Sequence, residues 1–285
     1  MDYNNQFMDS DSNNELRIAG ALDDYLPQVS FEAIPIEDLV PDPEYQRELS
    51  EKHVKKAAAN FDIHQLNPVK VSRRNGKNYV VNGQHTMEIV ATVSGSRKTK
   101  VWCMVYEDLC YQQEADIFAN QQKYVKSLTP YDVFMANIEA GNSKQLLIKD
   151  ILASYAIRVS SVPKSCCICG IKAVEHVYDQ YGQEVLSRTL RLIVNAWEGN
   201  QQSLGATMIK GIAKLIDTYG IAIDDNIFIE KLGEVSVKEI LRSGKERRGG
   251  SLGVAEAILA VYNRKSRNSL SIDSLYRKRK GKSHE

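Results

Sequence analysis

Long hydrophobic runs are missing from this 285-residue chain, and no stretch is apolar for long enough to span a bilayer as a helix. The N-terminus is polar and acidic and lacks a secretory apolar core. Cysteine is sparse and odd in number, five in all, which argues against a disulfide scaffold and for a cytoplasmic protein with reduced thiols and no membrane partner. Internal repeats and extended low-complexity tracts are absent too. What remains is ordinary globular usage, 43% hydrophobic and 26% charged residues, which excludes wholesale disorder. The length allows one large or two modest domains.

Overall charge is nearly absent as well, a net +1, but this hides an asymmetry. Residues 1–45 carry 11 acidic side chains against the single base Arg17, so the remainder carries +11. From Arg242 onward 12 bases face four acids. Such a segment suits a polyanionic partner, and Arg277, Lys278, Arg279, Lys280 and Lys282 are the candidate DNA contacts.

Pattern along the chain divides it into four parts. Residues 1–30 read as a flexible acidic arm. Residues 31–125 are rich in strands, with Pro35 and Pro41 keeping the first segments away from a sheet centre. Ser50 caps a helix whose apolar face is Val54, Ala57, Ala58 and Phe61. Asn75-Gly76 between two alternating runs predicts a tight hairpin. A helix then runs to Gly95, a strand covers Lys100–Tyr106, and a helix covers Glu114–Gln122. Residues 126–268 are helical, beginning with the Thr129-Pro130-Tyr131-Asp132 start signal. Further helices are expected at about 143–154, 171–181, 184–198, 205–219, 226–243 and 251–264, with a lone strand near Tyr155–Val162. Residues 269–285 form a basic tail. The fold class is α+β, a small mixed-sheet domain followed by an all-helical one.

The most informative stretch is Asn82-Gly83-Gln84-His85-Thr86, between the hairpin and a helix. Glycine here lets backbone approach a ligand, and the first free amides of the helix point outward beside its positive dipole end, which suits phosphate. His85 adds a donor, charged if protonated, and Thr86 adds a hydroxyl. His85 is also the one candidate for acid–base catalysis. Cys166 and Cys169 have CxxC spacing but no second ligand pair nearby, so no zinc or other metal site is expected. Leu204–Ile212 has room for a helix-turn-helix but lacks a face of base-reading side chains.

The order Tyr45-Gln46-Arg47, a helix with Val54 and Phe61, Asn67-Pro68-Val69-Lys70-Val71, the Asn-Gly hairpin and then Tyr79-Val80-Val81-Asn82-Gly83-Gln84-His85 resembles the ParB/sulfiredoxin superfamily. Within it the chain is most similar to the ParB-like nuclease-domain branch of phage, plasmid and other mobile-element proteins, over about residues 31–125. The resemblance implies that Gly83, Gln84, His85 and Thr86 cradle the phosphates of a nucleoside triphosphate, CTP or ATP, carried with magnesium. It also implies that Arg47 lies across the pocket, and that Asn120 and Gln121 read a base or ribose edge. Asn82 stands where the family usually has an acid, and Thr86 where it has arginine, which weakens hydrolysis more than binding. Gln84 stands where sulfiredoxins need cysteine. The expected function is a nucleotide switch, associated with DNA and able to form a homodimer, in mobile-element maintenance or regulation. The alternatives are a nuclease or NTP-hydrolysing enzyme using the same loop, and a protein-interaction scaffold with a degenerate nucleotide site.

Overall fold

A computed structural model describes residues 29–107, 109–121, 123, 125–266 and 268–277. Most of the expected acidic arm and the tail residues Lys278, Arg279, Lys280 and Lys282 therefore lie outside the described residues. The architecture is α+β, a five-stranded mixed sheet with helices followed by a helical bundle. Contacts divide the chain into two units, residues 1–126 and 127–285. Among the described residues no helix is long and apolar enough to cross a membrane.

In the first unit the strands are β1 (Val29–Pro35), β2 (Leu39–Pro41), β3 (Val69–Arg74), β4 (Lys77–Asn82) and β5 (Lys100–Glu107). Their order is β1-β5-β3-β4-β2. β1 and β2 are the two edges, the places where Pro35 and Pro41 remove no central ladder bond. Val29 and Ser30 already belong to β1, so strand begins two residues before the expected end of the arm. β5 runs antiparallel to β1 and parallel to β3, while β4 runs antiparallel to β3 and parallel to β2. Asn75 (φ 52°) and Gly76 (φ 71°) supply both left-handed positions of the hairpin turn. Helix α1 (Glu51–Ala59) begins at Ser50, whose hydroxyl accepts from the His53 amide, and it packs on α2 (Gln84–Ser94), which Gly95 ends. Val69, Val71, Val80, Met87, Cys103 and Val105 are all fully buried between sheet and helices. Arg73 ties three strands, donating to Glu32 of β1 at 2.7 and 3.0 Å and to Glu107 of β5 at 3.1 Å. That contact holds the Glu32 carboxyl down at about 2. Helix α3 (Tyr111–Asn120) closes the unit.

The helical unit contains α4 (Pro130–Glu139), α5 (Ser143–Ser154), α6 (Ile171–Trp197), α7 (Ala206–Tyr219), α8 (Asp225–Gly233), α9 (Val237–Arg247) and α10 (Gly250–Tyr262). Thr129 and Asp132 form the expected capping box of α4. Two expected helices are joined in α6, although Gly182 (φ 86°, ψ 176°) still breaks its geometry. One expected helix is split into α8 and α9 because Ser236 accepts from the Glu239 amide and starts a new helix there. The strand expected to be alone, β6 (Arg158–Val159), pairs in parallel with β7 (Cys167–Ile168). The core also runs past residue 268, because Leu275 is buried in it and Asn263 exchanges two hydrogen bonds with Leu270.

Helices α7 and α10 are interior. Met208, Ile209, Gly211, Ile212 and Ala213 are all buried, and of the Leu204–Ile212 stretch only Ala206 and Thr207 are exposed, with Lys210 half-buried, too narrow a face to read a DNA groove. Backbones meet closely here. A Cβ on Gly211 would stand 2.9 Å from the Ser251 carbonyl oxygen, and one on Gly253 would stand 2.2 Å from that of Gly244. Replacing Gly253 with alanine should therefore force α9 and α10 apart. A loss of at least the roughly 1–3 kcal/mol of ordinary overpacking is expected in urea unfolding followed by helical circular dichroism. An unchanged midpoint would contradict the crossing.

Candidate functional site

The loop expected to hold an anion sits where β4 gives way to α2. Its geometry begins one step earlier, in the strand. Lys70 pairs with Asn82 and Val71 with Val80, so Val81 is an extra residue in β4, a bulge that buries Val80 and Val81 in succession. Gly83 follows in the left-handed region at φ 106° and serves as the N-cap of α2. A Cβ at 83 would lie 3.1 Å from the Val69 Cα and 3.1 and 3.2 Å from its two methyl groups. Glycine is thus favoured here by its left-handed φ and by a tight approach to β3, and a β-branched residue at 83 would strain the unit itself as well as any ligand contact.

No side chain caps α2. Its first backbone bond runs from the Met87 amide to the Gly83 carbonyl at 3.0 Å. Among the described residues, no carbonyl or side chain accepts from the amides of residues 84, 85 and 86. Three donors at the positive end of a helix therefore face a cavity of about 140 Å³, lined by Gln46, Arg47, Asn82–Thr86, Phe118 and Gln121. No carboxylate lines it. Arg47 is exposed at its rim, and no carboxylate among the described residues pairs with it.

Two further polar atoms in the lining are orphaned. Gln46 donates its Nε2 to the Val80 carbonyl, but its Oε1 is buried without a partner. The Oε1 of Gln121 is buried without a partner as well. Buried acceptors left unpaired are costly and need an explanation. Both amide oxygens border the same space as the free amides, so the cavity offers donors from the loop and acceptors from the glutamines.

His85 has a defined state. Its Nε2 accepts from the Ser50 amide at 3.2 Å, which puts the imidazole proton on Nδ1 and links the starts of α1 and α2. Burial, then the positive charge of Arg47, then His53 push its pKa down. The charged donor expected from sequence is therefore disfavoured, and Nε2 is already engaged rather than free as a base. His53 stacks edge-on at 5.4 Å.

Helix α3 brings Phe118 and Gln121 to the cavity, and an ion pair holds it there. Glu114, fully buried, accepts from Arg74 at 2.6 and 3.3 Å, and the guanidinium lies 3.9 Å over the Tyr79 ring. Tyr45 adds edge contacts to Tyr111 and Phe118 at 5.7 and 5.8 Å. Asn120, expected beside Gln121, is turned away: its amide donates to the Asp116 carbonyl and carboxylate, and it is not part of the lining. Gln46, Phe118 and the Arg74–Glu114 pair were not assigned from sequence; only Gln46 had a local signal, its place beside Arg47. Of the expected DNA contacts, Arg277 is described and exposed, at the end of the helical unit. A larger neighbouring cavity of about 430 Å³ shares Thr86 but is lined mainly by apolar side chains such as Phe61, Val90 and Trp102.

Residues 40–274 match a family model described as a family of unknown function (DUF6551). Among solved structures, the chain is similar to the crystal structure of the C-terminally truncated chromosome-partitioning protein ParB from Caulobacter crescentus complexed with CTP-gamma-S. Identity is 14%, the match covers 82% of this chain and 98% of that one, and the TM-score is 0.33, a likeness that carries no argument about the site. No curated protein matches.

The His85 geometry has a measurable consequence. Its titration, followed by NMR, should fall below the ordinary value of 6.5. Since the unfolded chain then binds the proton more readily, stability of the first unit should decline as pH drops below 6.5 and level off beneath the folded-state pKa. A pKa at or above 6.5 would contradict the Ser50 contact.

Proposed function

The chain belongs to the family of unknown function DUF6551, and for this member we propose a nucleotide-responsive, DNA-associated role in which the loop at 82–86 binds a nucleoside triphosphate. The carrying observation is the pairing of complementary groups in one cavity: three free amides and the exposed Arg47 suit an anion, while the buried Gln46 Oε1 and Gln121 Oε1 lack a donor. Phosphate oxygens meet the first need, and a hydroxyl or amino group on the same molecule meets the second.

The cavity is smaller than the roughly 300–1,000 Å³ of a site that encloses a drug-sized ligand. It suits part of a nucleotide, with the remainder open to solvent. Magnesium would enter on the phosphate oxygens, since the lining supplies no carboxylate of its own. In this reading Gln84 and His85 contribute backbone amides, Thr86 adds its hydroxyl, Arg47 clamps an outer phosphate, and Gln121 orients the nucleoside. The engaged Nε2 of His85 favours binding and switching over turnover. DNA association is assigned to the basic residues of the helical half, Arg277 among them. The ParB/sulfiredoxin kinship suggested by the ordered motifs of residues 31–125, and a mobile-element setting, belong to the same proposal.

Calorimetry with ATP, CTP, GTP and UTP tests it. Saturable binding of at least one is expected, weakened about 10–100-fold by Arg47→Ala, the equivalent of losing one charge-assisted bond. Gln121→Leu should weaken the nucleotide while leaving inorganic triphosphate unaffected. Absence of binding to all four would favour the scaffold alternative.

A further inference from the structure

The helical unit contains an acid that its packing does not call for. Glu256 lies within α10, where its neighbours from Gly253 to Leu259 are all buried, and it is itself only 7% exposed. Its partner is the hydroxyl of Tyr276, which donates to the carboxylate. Tyr276 ends the short 3-10 turn Ile272–Tyr276, with Leu275 beside it buried in the core, yet Tyr276 as a residue is 42% exposed. The Arg248 guanidinium lies 4.9 Å over that ring. The chain after α10 has therefore doubled back, bringing residue 276 against the residue that follows α9.

The consequence is a gathering of positive charge from distant parts of the sequence. Lys245, Arg247 and Arg248 occupy the last turn and end of α9, and all are exposed. Arg277 follows the anchored tyrosine directly and is exposed too. Among the described residues none of the four is ion-paired; the nearby pair is Arg242 with Glu246 at 3.9 Å, and Arg247 touches only Ser243 Oγ at 3.4 Å. In sequence, Lys278, Arg279, Lys280 and Lys282 come next.

We propose that the Glu256–Tyr276 contact is an anchor that makes Lys245, Arg247, Arg248 and Arg277 one continuous surface for the phosphate backbone of duplex DNA. The surface rests on the DNA association proposed for the helical half, and specifies where that association occurs and what builds it. None of the four cations lines the loop cavity at 82–86 or its apolar neighbour. They are exposed at a helix end and on the chain beside it, which matches a row of phosphates better than a single small anion. Arginine predominates, and its forked guanidinium suits phosphate oxygens.

Fluorescence anisotropy of a short DNA duplex, over a range of salt concentrations and with the full chain, tests this. Arg247→Glu with Arg248→Glu should weaken binding at least about tenfold and flatten the salt slope by about two, near 0.9 for each phosphate no longer neutralised. Tyr276→Ala keeps every cation and should still weaken binding several-fold. Tyr276→Ala with Glu256→Gln removes the same anchor without stranding a buried charge, and should lose as much while its helical melting stays close to the parent's. An unchanged slope in the arginine variant, or parental affinity in the folded double anchor variant, would overturn the surface while leaving DNA association standing. A parent chain that binds no duplex removes DNA association and the surface together. Equal, arginine-dependent capture by phosphatidylserine vesicles would reassign the patch to membranes and overturn the proposal.

Discussion

Position 83 leaves little room for a side chain: a Cβ there would press on Val69 of β3 at 3.1 Å, and the backbone is left-handed. Those two constraints set the geometry of the candidate site. The bulge at Val81 turns the end of β4, glycine completes the reversal, and α2 must start without a capping side chain because its N-cap has none. The unpaired amides of residues 84–86 are thus a by-product of strand packing. A helix start beside a tightly packed sheet edge is left electropositive, and the cavity forms around it. Ser50, by donating to His85, ties the start of a second helix to the same point.

The far wall of the cavity depends on a different interaction. Glu114 is fully buried and would be expensive without Arg74. Because Arg74 is the last residue of β3 before the hairpin turn, the pair fixes α3 to the sheet, with Tyr79 under the guanidinium and Tyr45 between Tyr111 and Phe118. Gln121, just past the end of α3, is held at the cavity by this arrangement, while Asn120 one residue earlier is satisfied by its own helix. Within the first unit the buried oxygens of Gln46, Gln121 and Ser72 lack partners, and of these the two glutamines border the cavity while Ser72 lies in β3 away from its lining.

In the helical unit the dominant constraint is closeness of backbone. Gly244 against Gly253, and Gly211 against Ser251, let α7, α9 and α10 approach to distances that any Cβ would forbid. α9 and the returning C-terminal turn carry the exposed bases Lys245, Arg247, Arg248 and Arg277. The Glu256 carboxylate holds that turn in place from inside the bundle.

Local physics was legible in the sequence, and it determined what depends on neighbours along the chain. Asn75-Gly76 specified the hairpin because both positions need positive φ. Ser50 and the Thr129–Asp132 box specified helix starts because a side-chain oxygen can reach amides two or three residues on. Pro35 and Pro41 specified sheet edges because they cannot donate. Tertiary structure alone decided the rest. It gave Gly83 its packing reason and His85 its tautomer, and it separated Gln121 from Asn120. It also joined Arg74 to Glu114 and returned Tyr276 to Glu256 across 20 residues. These depend on which surfaces meet after folding. Burial and hydrogen-bond partners between residues tens of positions apart leave no periodic or spacing signal in a single sequence.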